Sequence, residues 1–202
     1  MEVVCLDLEG VLIPEIWIGM AKKTGIDELR ATTRDVSDYN ELMQQRLRIM
    51  DENNLGLPDL QEVINSLEPL PGALNFLNWL RAHFQVVVLS DTFYEFAEPL
   101  MRKLEWPTLF CHRLDTAPDG RITGYHLRMD NHKREAVKHL RQLNFTVYAA
   151  GDSYNDTAML TEADKGFLIH APDYIMTEFP QFTVARNHAE LRAELEKASP
   201  RF

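Results

Sequence analysis

The stretch EVVCLDLEG, residues 2–10, is a short apolar run that turns polar at Asp7 and ends at a glycine. Such a run is typical of a buried strand that leads into a functional turn. The same pattern recurs in QVVVLSDT (85–92) and in FTVYAAGDS (145–153), and helical stretches separate the three runs. They predict an α/β fold with a parallel sheet, whose functional site lies at the carboxyl ends of the strands.

The chain between the first two predicted strands has a different character. Between Pro14 and Pro71 the residues indicate successive helices rather than strands. These helices are predicted near residues 15–24, 27–33, 38–53 and 58–67. A helical insertion directly after the first strand would cover the catalytic edge of the sheet. We therefore expect residues 14–69 to form a helical cap, and residues 1–13 and 70–202 to form the α/β core.

The remaining core elements follow from the same patterns. Pro118-Asp119-Gly120 lies between two strand-like pieces, so residues 112–128 are predicted to form a β-hairpin flap beside the site. The helix predicted at 71–84 begins with a proline, which is favoured in the first turn of a helix. The other predicted elements are strands at 85–89, 145–150, 166–169 and 182–185, and helices at 132–143, 154–163 and 187–198.

The composition argues against some classes of partner. The 202-residue chain has a formal net charge of −10 and no cluster of Lys and Arg, which argues against nucleic-acid binding. The first residues turn acidic before a signal-peptide core could form, and no apolar run is long enough to span a membrane. Cys5 and Cys111 lie far apart in apolar runs and are expected to be buried free thiols. We therefore expect a cytoplasmic protein without a nucleic-acid or membrane partner.

Asp7 and Glu9 form the first candidate catalytic pair. Two carboxylates that are one residue apart at a turning strand end can both be directed at a metal and a phosphoryl group. Asp7 could then attack phosphorus, while Glu9 serves first as general acid and then as general base. A simple acidic turn explains the same two residues about as well. The pair by itself therefore decides nothing.

A second acidic cluster, formed by Asp152 and Asp156, follows the third run. Hard oxygen ligands suit Mg²⁺, which usually takes one or two carboxylates together with water and substrate phosphate. We expect Asp152 to bind the ion directly and Asp156 to orient the ligands, with a direct bond from Asp156 left open. A polar turn that caps the next helix is the alternative interpretation, but it leaves three acidic strand-end residues without a counter-ion.

Ser90 and Lys133 are the other candidate residues of the core. Ser90 follows the second predicted strand, where its hydroxyl and nearby backbone N–H groups could hold phosphoryl oxygens. Lys133 begins a predicted helix and could neutralise the phosphate and Asp7. Taken singly, a helix N-cap for Ser90 and a solvated charge for Lys133 are the preferred interpretations.

Taken in order, Asp7-x-Glu9, Ser90, Lys133 and Gly-Asp152-x-x-x-Asp156 resemble the four motifs of the haloacid dehalogenase superfamily. The helical insertion resembles the first type of cap of that superfamily. The resemblance implies a Rossmann-like α/β core and phosphoryl transfer through a phosphorylated Asp7. It also implies that Mg²⁺ is bound by the Asp7 carboxylate, by the backbone carbonyl of Glu9 and by Asp152.

The cap and the last motif resemble, more narrowly, those of phosphoserine phosphatases. That resemblance implies that Glu15 holds the ammonium group of the substrate and Arg46 its carboxylate. It further implies that Asn155 and Asp91 help to enclose the phosphate. An acidic side chain and a guanidinium in one cavity would complement the two charges of an amino acid. Without the resemblance, Glu15 would be an acid at a helix start and Arg46 a solvated charge.

The residue at position 9 departs from the family pattern. Family phosphatases usually carry Asp where this sequence has Glu9, and phosphoserine phosphatases follow it with Ser-Thr rather than Gly10-Val11. The extra methylene of Glu shifts the acid/base group and with it the choice of acceptor. The sequence here resembles a variant that passes the phosphoryl group to homoserine, which carries the same charged groups as serine. We therefore expect hydrolysis of L-phosphoserine, with transfer to homoserine as a second outcome.

Two other functions stay open on the sequence. The first is a phosphatase for another small metabolite, such as a sugar or nucleotide phosphate, built on the same core. The second is a receiver-like signalling domain, which also places a phosphorylated Asp, a hydroxyl residue and a Lys around Mg²⁺. A receiver fits less well, because it keeps its acidic pair on the first strand and its acceptor on a middle strand, without a large helical insertion.

Overall fold

The computed structural model describes residues 1–32, 35–36 and 38–202. Within these residues, seven strands form a single sheet. The strands are β1 (Glu2–Leu6), β2 (Gln85–Phe93), β3 (Thr108–Thr116), β4 (Ile122–His126), β5 (Thr146–Gly151), β6 (Lys165–Ile169) and β7 (Thr183–Ala185). The helices are α1 (Ile16–Thr24), α2 (Tyr39–Glu52), α3 (Leu57–Ser66), α4 (Ala73–His83), α5 (Tyr94–Lys103), α6 (His132–Gln142), α7 (Thr157–Glu162), α8 (Asp173–Glu178) and α9 (His188–Ala198), with 3₁₀ helices at Asp27–Arg30 and Tyr154–Asp156.

β1 lies in the middle of the sheet, whose strand order is β4-β3-β2-β1-β5-β6-β7. It pairs in parallel with β2 on one side and with β5 on the other, while β4 pairs with β3 in the antiparallel sense. Because the parallel strands end at one edge, the residue that follows β1 lies at the centre of that edge. The predicted α/β fold is confirmed, and the predicted hairpin is the pair β3 and β4.

The central strand separates two apolar cores. Alternate side chains of a strand point to opposite faces of a sheet. Val4 and Leu6 of β1 belong to one buried cluster, whereas Val3 and Cys5 belong to the other. Cys5 and Cys111 are both free and buried, as the sequence predicts. Helices therefore cover both faces, and the edge of the sheet is left for chemistry.

The strand β2 contains an irregularity beside the site. Its Leu89 pairs with Phe110 of β3, and its Phe93 pairs with His112, so three residues of β2 lie opposite one residue of β3. Such a bulge bends a strand and redirects its side chains. The prediction that the strand stops at residue 89 was wrong, because pairing with β3 resumes beyond the bulge and Ser90 lies within the strand.

Helices fill the chain between β1 and α4. The side chain of Asp38 caps α2 by accepting hydrogen bonds from the backbone N–H groups of Asn40 and Glu41. The helix predicted near residues 27–33 is a shorter 3₁₀ helix, Asp27–Arg30. Its predicted end at Thr33, like Arg34 and Ser37 of the predicted cap, lies outside the described residues.

The second half of the chain follows the predictions with two differences. The helix predicted at 154–163 is divided into a 3₁₀ helix, Tyr154–Asp156, and α7. The short helix α8 was not predicted. Over the described ranges, no helix combines the length and the apolar composition that crossing a bilayer requires.

Candidate active site

Asp7 stands at the end of the central strand and is almost completely buried, with 5% of its surface exposed. Its backbone N–H donates a hydrogen bond to the carbonyl of Ala150 on β5, at 2.9 Å. This bond continues the parallel pairing past the end of β1. The main chain of Asp7 is therefore held by the sheet while its side chain points beyond the edge, where Lys133 meets it.

Lys133 lies in the first turn of α6 and is 3% exposed. Its Nζ donates to Oδ1 of Asp7 at 2.9 Å and to Oδ1 of Asp156 at 2.8 Å, and it lies 3.2 Å from Oδ2 of Asp91. Burial alone would lower the pKa of Lys133, but the three carboxylates hold it well above its usual range. Lys133 is a buried cation and not a solvated helix charge.

Three buried carboxylates form a group that can hold a metal ion. Asp7, Asp152 and Asp156 each offer an oxygen, and these oxygens lie within 4.8 Å of one another. Burial, and then the charge of Asp156, raise the pKa of Asp7 well above its usual range, although Lys133 opposes the shift. A divalent cation would relieve this repulsion, and an all-oxygen set suits a hard ion.

Asp156 is fully buried behind this group and uses both of its oxygens within the protein. Oδ1 accepts the hydrogen bond from Lys133, and Oδ2 accepts from the backbone N–H groups of Asp152, at 3.0 Å, and Ser153, at 3.2 Å. Its contacts therefore fix the backbone that carries Asp152. This geometry favours the orienting role that the sequence suggests.

Glu9 connects the catalytic turn to the first inserted helix. Its Oε2 accepts a hydrogen bond from the backbone N–H of Ile16, at 2.9 Å, which satisfies a free donor at the start of α1. Glu15 itself makes no capping hydrogen bond, so its carboxylate is not engaged at the helix end. Burial, and then the charge of Glu15, raise the pKa of Glu9 to about 8.

The predicted site residues converge on one cavity of about 70 Å³. Its lining includes nine of them, namely Asp7, Glu9, Glu15, Arg46, Ser90, Asp91, Lys133, Asp152 and Asn155. They come from six separate stretches of the chain: the turn after β1, the N-cap of α1, α2, the bulge of β2, the start of α6, and the segment that follows β5. Trp17 and Tyr39 also line the cavity and were not predicted.

Arg46 is 7% exposed and lies on the inner face of α2. Its guanidinium stacks over Trp17, 4.5 Å from the ring centre, and donates to the carbonyl of Ala31 at 3.0 Å. Its Nε is buried and has no hydrogen-bond partner among the residues that the structure describes. A buried donor without an acceptor costs free energy, so this cation is suited to an anionic group in the cavity.

The bulge of β2 brings Ser90 and Asp91 to the cavity. The Oγ of Ser90, 2% exposed, accepts a hydrogen bond from the backbone N–H of Thr92 at 3.2 Å. Asp91 accepts from Nδ2 of Asn155 at 2.7 Å. His112 and His132 also lie against Asp91. The sequence analysis did not predict either histidine, and the only signal in the sequence is that His132 precedes Lys133.

The fold and this site define a class of hydrolases. The profile of the haloacid dehalogenase-like hydrolases matches residues 17–161, and the chain belongs to that family, which confirms the resemblance found in the motifs. Over 201 residues the chain is 58% identical to the phosphoserine phosphatase ThrH of Pseudomonas aeruginosa, with 100% of this chain and 98% of the relative covered.

A second relative and a solved structure are also similar to this chain. A phosphoserine phosphatase of Pseudomonas syringae pv. tomato is also 58% identical over 201 residues, with 100% of this chain and 85% of the relative covered. A solved structure of a substrate-bound phosphoserine phosphatase complex has a TM-score of 0.78 at 19% identity and covers 97% of each chain. At that identity the structural match shows a shared fold.

Proposed function

We propose that this protein is a Mg²⁺-dependent phosphoserine phosphatase that works through an aspartyl phosphate on Asp7. The observation that carries the proposal is a single cavity lined both by the Asp7–Lys133 ion pair and by Glu15 and Arg46. One end suits phosphoryl transfer, and the other suits the charged groups of an amino acid. Relatives that are 58% identical to this chain bear the name phosphoserine phosphatase.

The residues proposed to hold Mg²⁺ are Asp7, Asp152 and the backbone carbonyl of Glu9. The clustered oxygens of Asp7, Asp152 and Asp156 support this choice, because Mg²⁺ prefers hard oxygen ligands. Asp156 would orient this set through the backbone of Asp152 and through Lys133. When bound, the ion supplies positive charge to the oxygens of the phosphoryl group.

In the first transfer, a carboxylate oxygen of Asp7 attacks phosphorus and the bond from phosphorus to the serine oxygen breaks. Glu9 donates a proton to that leaving oxygen. Lys133, the hydroxyl of Ser90 and the amide of Asn155 are proposed to hold the phosphoryl oxygens as charge develops. The hydrogen bond from the backbone N–H of Ile16 supports the acid/base role of Glu9, because this bond fixes the Glu9 carboxyl group at the wall of the cavity.

In the second transfer, water attacks the phosphorus of the aspartyl phosphate. Glu9, now without its proton, accepts one from the attacking water. The bond between phosphorus and the oxygen of Asp7 breaks, so that the carboxylate is restored and inorganic phosphate leaves. The reaction as a whole converts phosphoserine and water into serine and phosphate.

Arg46 and Glu15 are proposed to bind the amino-acid part of the substrate. The unpartnered Nε of Arg46 supports an interaction with the substrate carboxylate, since a guanidinium binds a carboxylate through two parallel hydrogen bonds. The carboxylate of Glu15 does not cap α1 and lies beside that of Glu9, so this part of the cavity offers negative charge to the ammonium group of the substrate. Asp91 belongs to the proposed phosphate end, although its own carboxylate would repel a phosphate.

Homoserine is proposed as a second acceptor. It carries the ammonium and carboxylate groups of serine, so that Glu15 and Arg46 could hold it after serine has left. Its hydroxyl would then attack the aspartyl phosphate in place of water, with its proton passing to Glu9. The Glu at position 9 supports this outcome, because it reaches further than the Asp of the usual pattern.

We further propose that residues 14–69 form a cap over the core made by residues 1–13 and 70–202. Two hydrogen bonds support closure at α2: the hydroxyl of Tyr39 donates to the carbonyl of Asp91 at 2.6 Å, and that of Tyr125 donates to Oδ1 of Asn40 at 2.8 Å. The free, buried cysteines are compatible with a reducing compartment, which supports the proposed cytoplasmic location.

A steady-state assay of phosphate release tests the proposed function. We expect release from L-phosphoserine that requires Mg²⁺ and stops with chelator, and that exceeds release from a panel of sugar and nucleotide phosphates. Addition of homoserine should divert part of the phosphoryl group to O-phosphohomoserine, which ³¹P NMR resolves from phosphate. Turnover of a sugar or nucleotide phosphate but not of phosphoserine would reject the substrate. A stable phosphoprotein without turnover would favour the receiver-like alternative.

A further inference from the structure

The carboxylate of Asp91 is the meeting point of four donors. Its Oδ1 lies 3.1 Å from Nε2 of His132 and 3.4 Å from Nε2 of His112. Its Oδ2 accepts from Nδ2 of Asn155 at 2.7 Å and lies 3.2 Å from Nζ of Lys133. One oxygen therefore faces two histidines, and the other faces two residues of the proposed phosphate site.

The hydrogen bond on the other side of the ring fixes the tautomer of His112. The backbone N–H of Arg128 donates to Nδ1 of His112 at 3.2 Å. A neutral imidazole that accepts at Nδ1 carries its proton on Nε2. His112 therefore presents an N–H group to Asp91. The same constraint argues against a metal held by Asp91, His112 and His132, because Nε2 of His112 would need a free lone pair.

The surroundings of His132 also favour a ring that carries its proton on Nε2. Its ring is 4% exposed and packs edge-on against His112, with 4.6 Å between the ring centres. Within the described part of the chain its buried Nδ1 has no hydrogen-bond partner, whereas its Nε2 faces Asp91. A ring with one free buried nitrogen gains most by donating through the other. Burial lowers the pKa of His132, which fits a neutral ring that donates a single proton.

These contacts leave Asp91 charged and fixed. Burial alone would raise the pKa of Asp91, but Lys133 and the two histidines hold it well below its usual range. Its backbone carbonyl is also held, by the hydroxyl of Tyr39 on α2. Asp91 thus links the bulge of β2 to α2, to β3, to α6 and to the 3₁₀ helix that carries Asn155.

We propose that Asp91 is a positioning residue which, anchored by His112 and His132 through one oxygen, sets Lys133 and Asn155 at the phosphoryl group through the other. This inference rests on the proposed function and deepens it, because it assigns Asp91 a role through its neighbours rather than through contact with phosphate. Misplacing a phosphate-binding group by about 1 Å is enough to slow a reaction by orders of magnitude.

The substitution Asp91→Asn separates the two halves of this arrangement. An amide has one acceptor oxygen and one NH₂ group, so either the histidines or the pair Lys133 and Asn155 must face a donor. We expect kcat on phosphoserine to fall about tenfold or more. Affinity for orthovanadate, a phosphate mimic, should fall with it. Inhibition by the product L-serine, which would contact only Glu15 and Arg46, should change less than about twofold.

The histidine anchor is tested by a matched pair of variants. His132→Gln keeps a donor where Nε2 lies, whereas His132→Leu removes it. We expect the Leu variant to lose about fivefold or more in kcat and the Gln variant to recover most of that loss. His83→Leu, remote from the cavity, controls for loss of a histidine, and thermal unfolding checks that each variant is folded.

Three results would overturn the inference. The first is an Asp91→Asn enzyme with kcat within about twofold of wild type. The second is a parallel loss of vanadate and serine affinity, which would indicate general disorder of the site. The third is equal activity of the Gln and Leu variants at His132.

The whole series is repeated with p-nitrophenyl phosphate. Wild-type activity on that ester but not on phosphoserine rejects the proposed function alone, and activity on neither rejects both.

Discussion

Gly10 and Asp152 are packed so closely that a Cβ on Gly10 would lie 2.4 Å from Oδ2 of Asp152. Gly10 follows Glu9 at a φ of +75°, in the left-handed region that favours glycine. The turn after β1 therefore lacks a side chain at the place where the proposed metal ligand approaches it. A close approach of this kind links the conformation of the first motif to the position of the last.

The substitution Gly10→Ala should weaken metal binding, because the Asp152 carboxylate must move to make room. We expect the Mg²⁺ concentration for half-maximal activity to rise about tenfold or more, since a displaced ligand loses much of its bond to the ion. Gly25→Ala is a matched control: its φ is +74°, and a Cβ there meets nothing within 4 Å. Both variants carry similar backbone strain, so an equal Mg²⁺ requirement in the two would contradict the prediction.

Arg46→Lys tests the recognition of the substrate carboxylate. Lys keeps the charge but loses the planar pair of donors. We expect KM for phosphoserine to rise about tenfold or more, while kcat/KM for p-nitrophenyl phosphate, which has no amino-acid group, stays within about threefold. Arg48→Lys, on the exposed side of the same helix, should leave both values unchanged. An equal loss with both esters would mean that Arg46 supports the fold and not the substrate.

Glu9→Asp tests the choice of acceptor. The shorter side chain withdraws the acid/base group from the second acceptor and leaves space that water can occupy. We expect hydrolysis to continue at a reduced rate, and the ratio of O-phosphohomoserine to phosphate formed with homoserine present to fall by about threefold or more. The two products are separated by ³¹P NMR. An unchanged ratio would show that Glu9 does not govern the acceptor.

His188 predicts a pH dependence of stability. It is 6% exposed, and its Nε2 and Nδ1 lie 2.8 Å and 3.3 Å from the carbonyl oxygens of Val11 and Pro71. His188 therefore links the segment that leaves β1 to the segment that enters α4. Burial lowers its pKa below the ordinary 6.5. The unfolded chain therefore takes up a proton first as the pH falls, and the stability from a neutral His188 is present above pH 6.5 and lost below it.

The comparison of wild type with His188→Gln isolates this effect from other titrations. At pH 7.5 we expect wild type to be more stable by about 1 kcal/mol, the usual net value of a buried hydrogen bond. The difference should shrink at pH 5.5, as measured by urea unfolding at both values. A difference that grows towards low pH would contradict the sign.

The sequence predicts the sheet and its catalytic edge because buried parallel strands are continuous apolar runs, as in β1 and β5. Parallel strands end at the same edge of a sheet, so the approach of distant residues such as Asp7 and Asp152 can be predicted without knowing how the side chains pack. The burial of Arg46 could have been recognised, since it lies on the same helical stripe as Leu42 and Ile49. The interpretation of Arg46 as a solvated charge gave too much weight to its polar neighbours.

Other features depend on contacts that sequence patterns do not carry. The bulge at Ser90–Thr92 arises from the pairing of β2 with β3, which local preference does not reveal. The contact between His112 and Asp91 likewise depends on the tertiary structure, because it joins residues on two different strands. Helix α8 is only six residues long, and its local signals are limited to Pro172 at the N-cap and the acidic Asp173 in the first turn. The separation into core and cap at residues 14–69, like the roles of the individual site residues, stays a prediction.

Phosphorylation of Asp7 is the central step of the proposed reaction. Mixing the enzyme with ³²P-phosphoserine and Mg²⁺, quenching in acid within milliseconds and mapping the labelled peptide measures it. We expect the label on the peptide that contains Asp7, and no label and no turnover in an Asp7→Asn variant that unfolds at the wild-type temperature. Label on another residue, or phosphate release by the Asp7→Asn variant, would contradict the account.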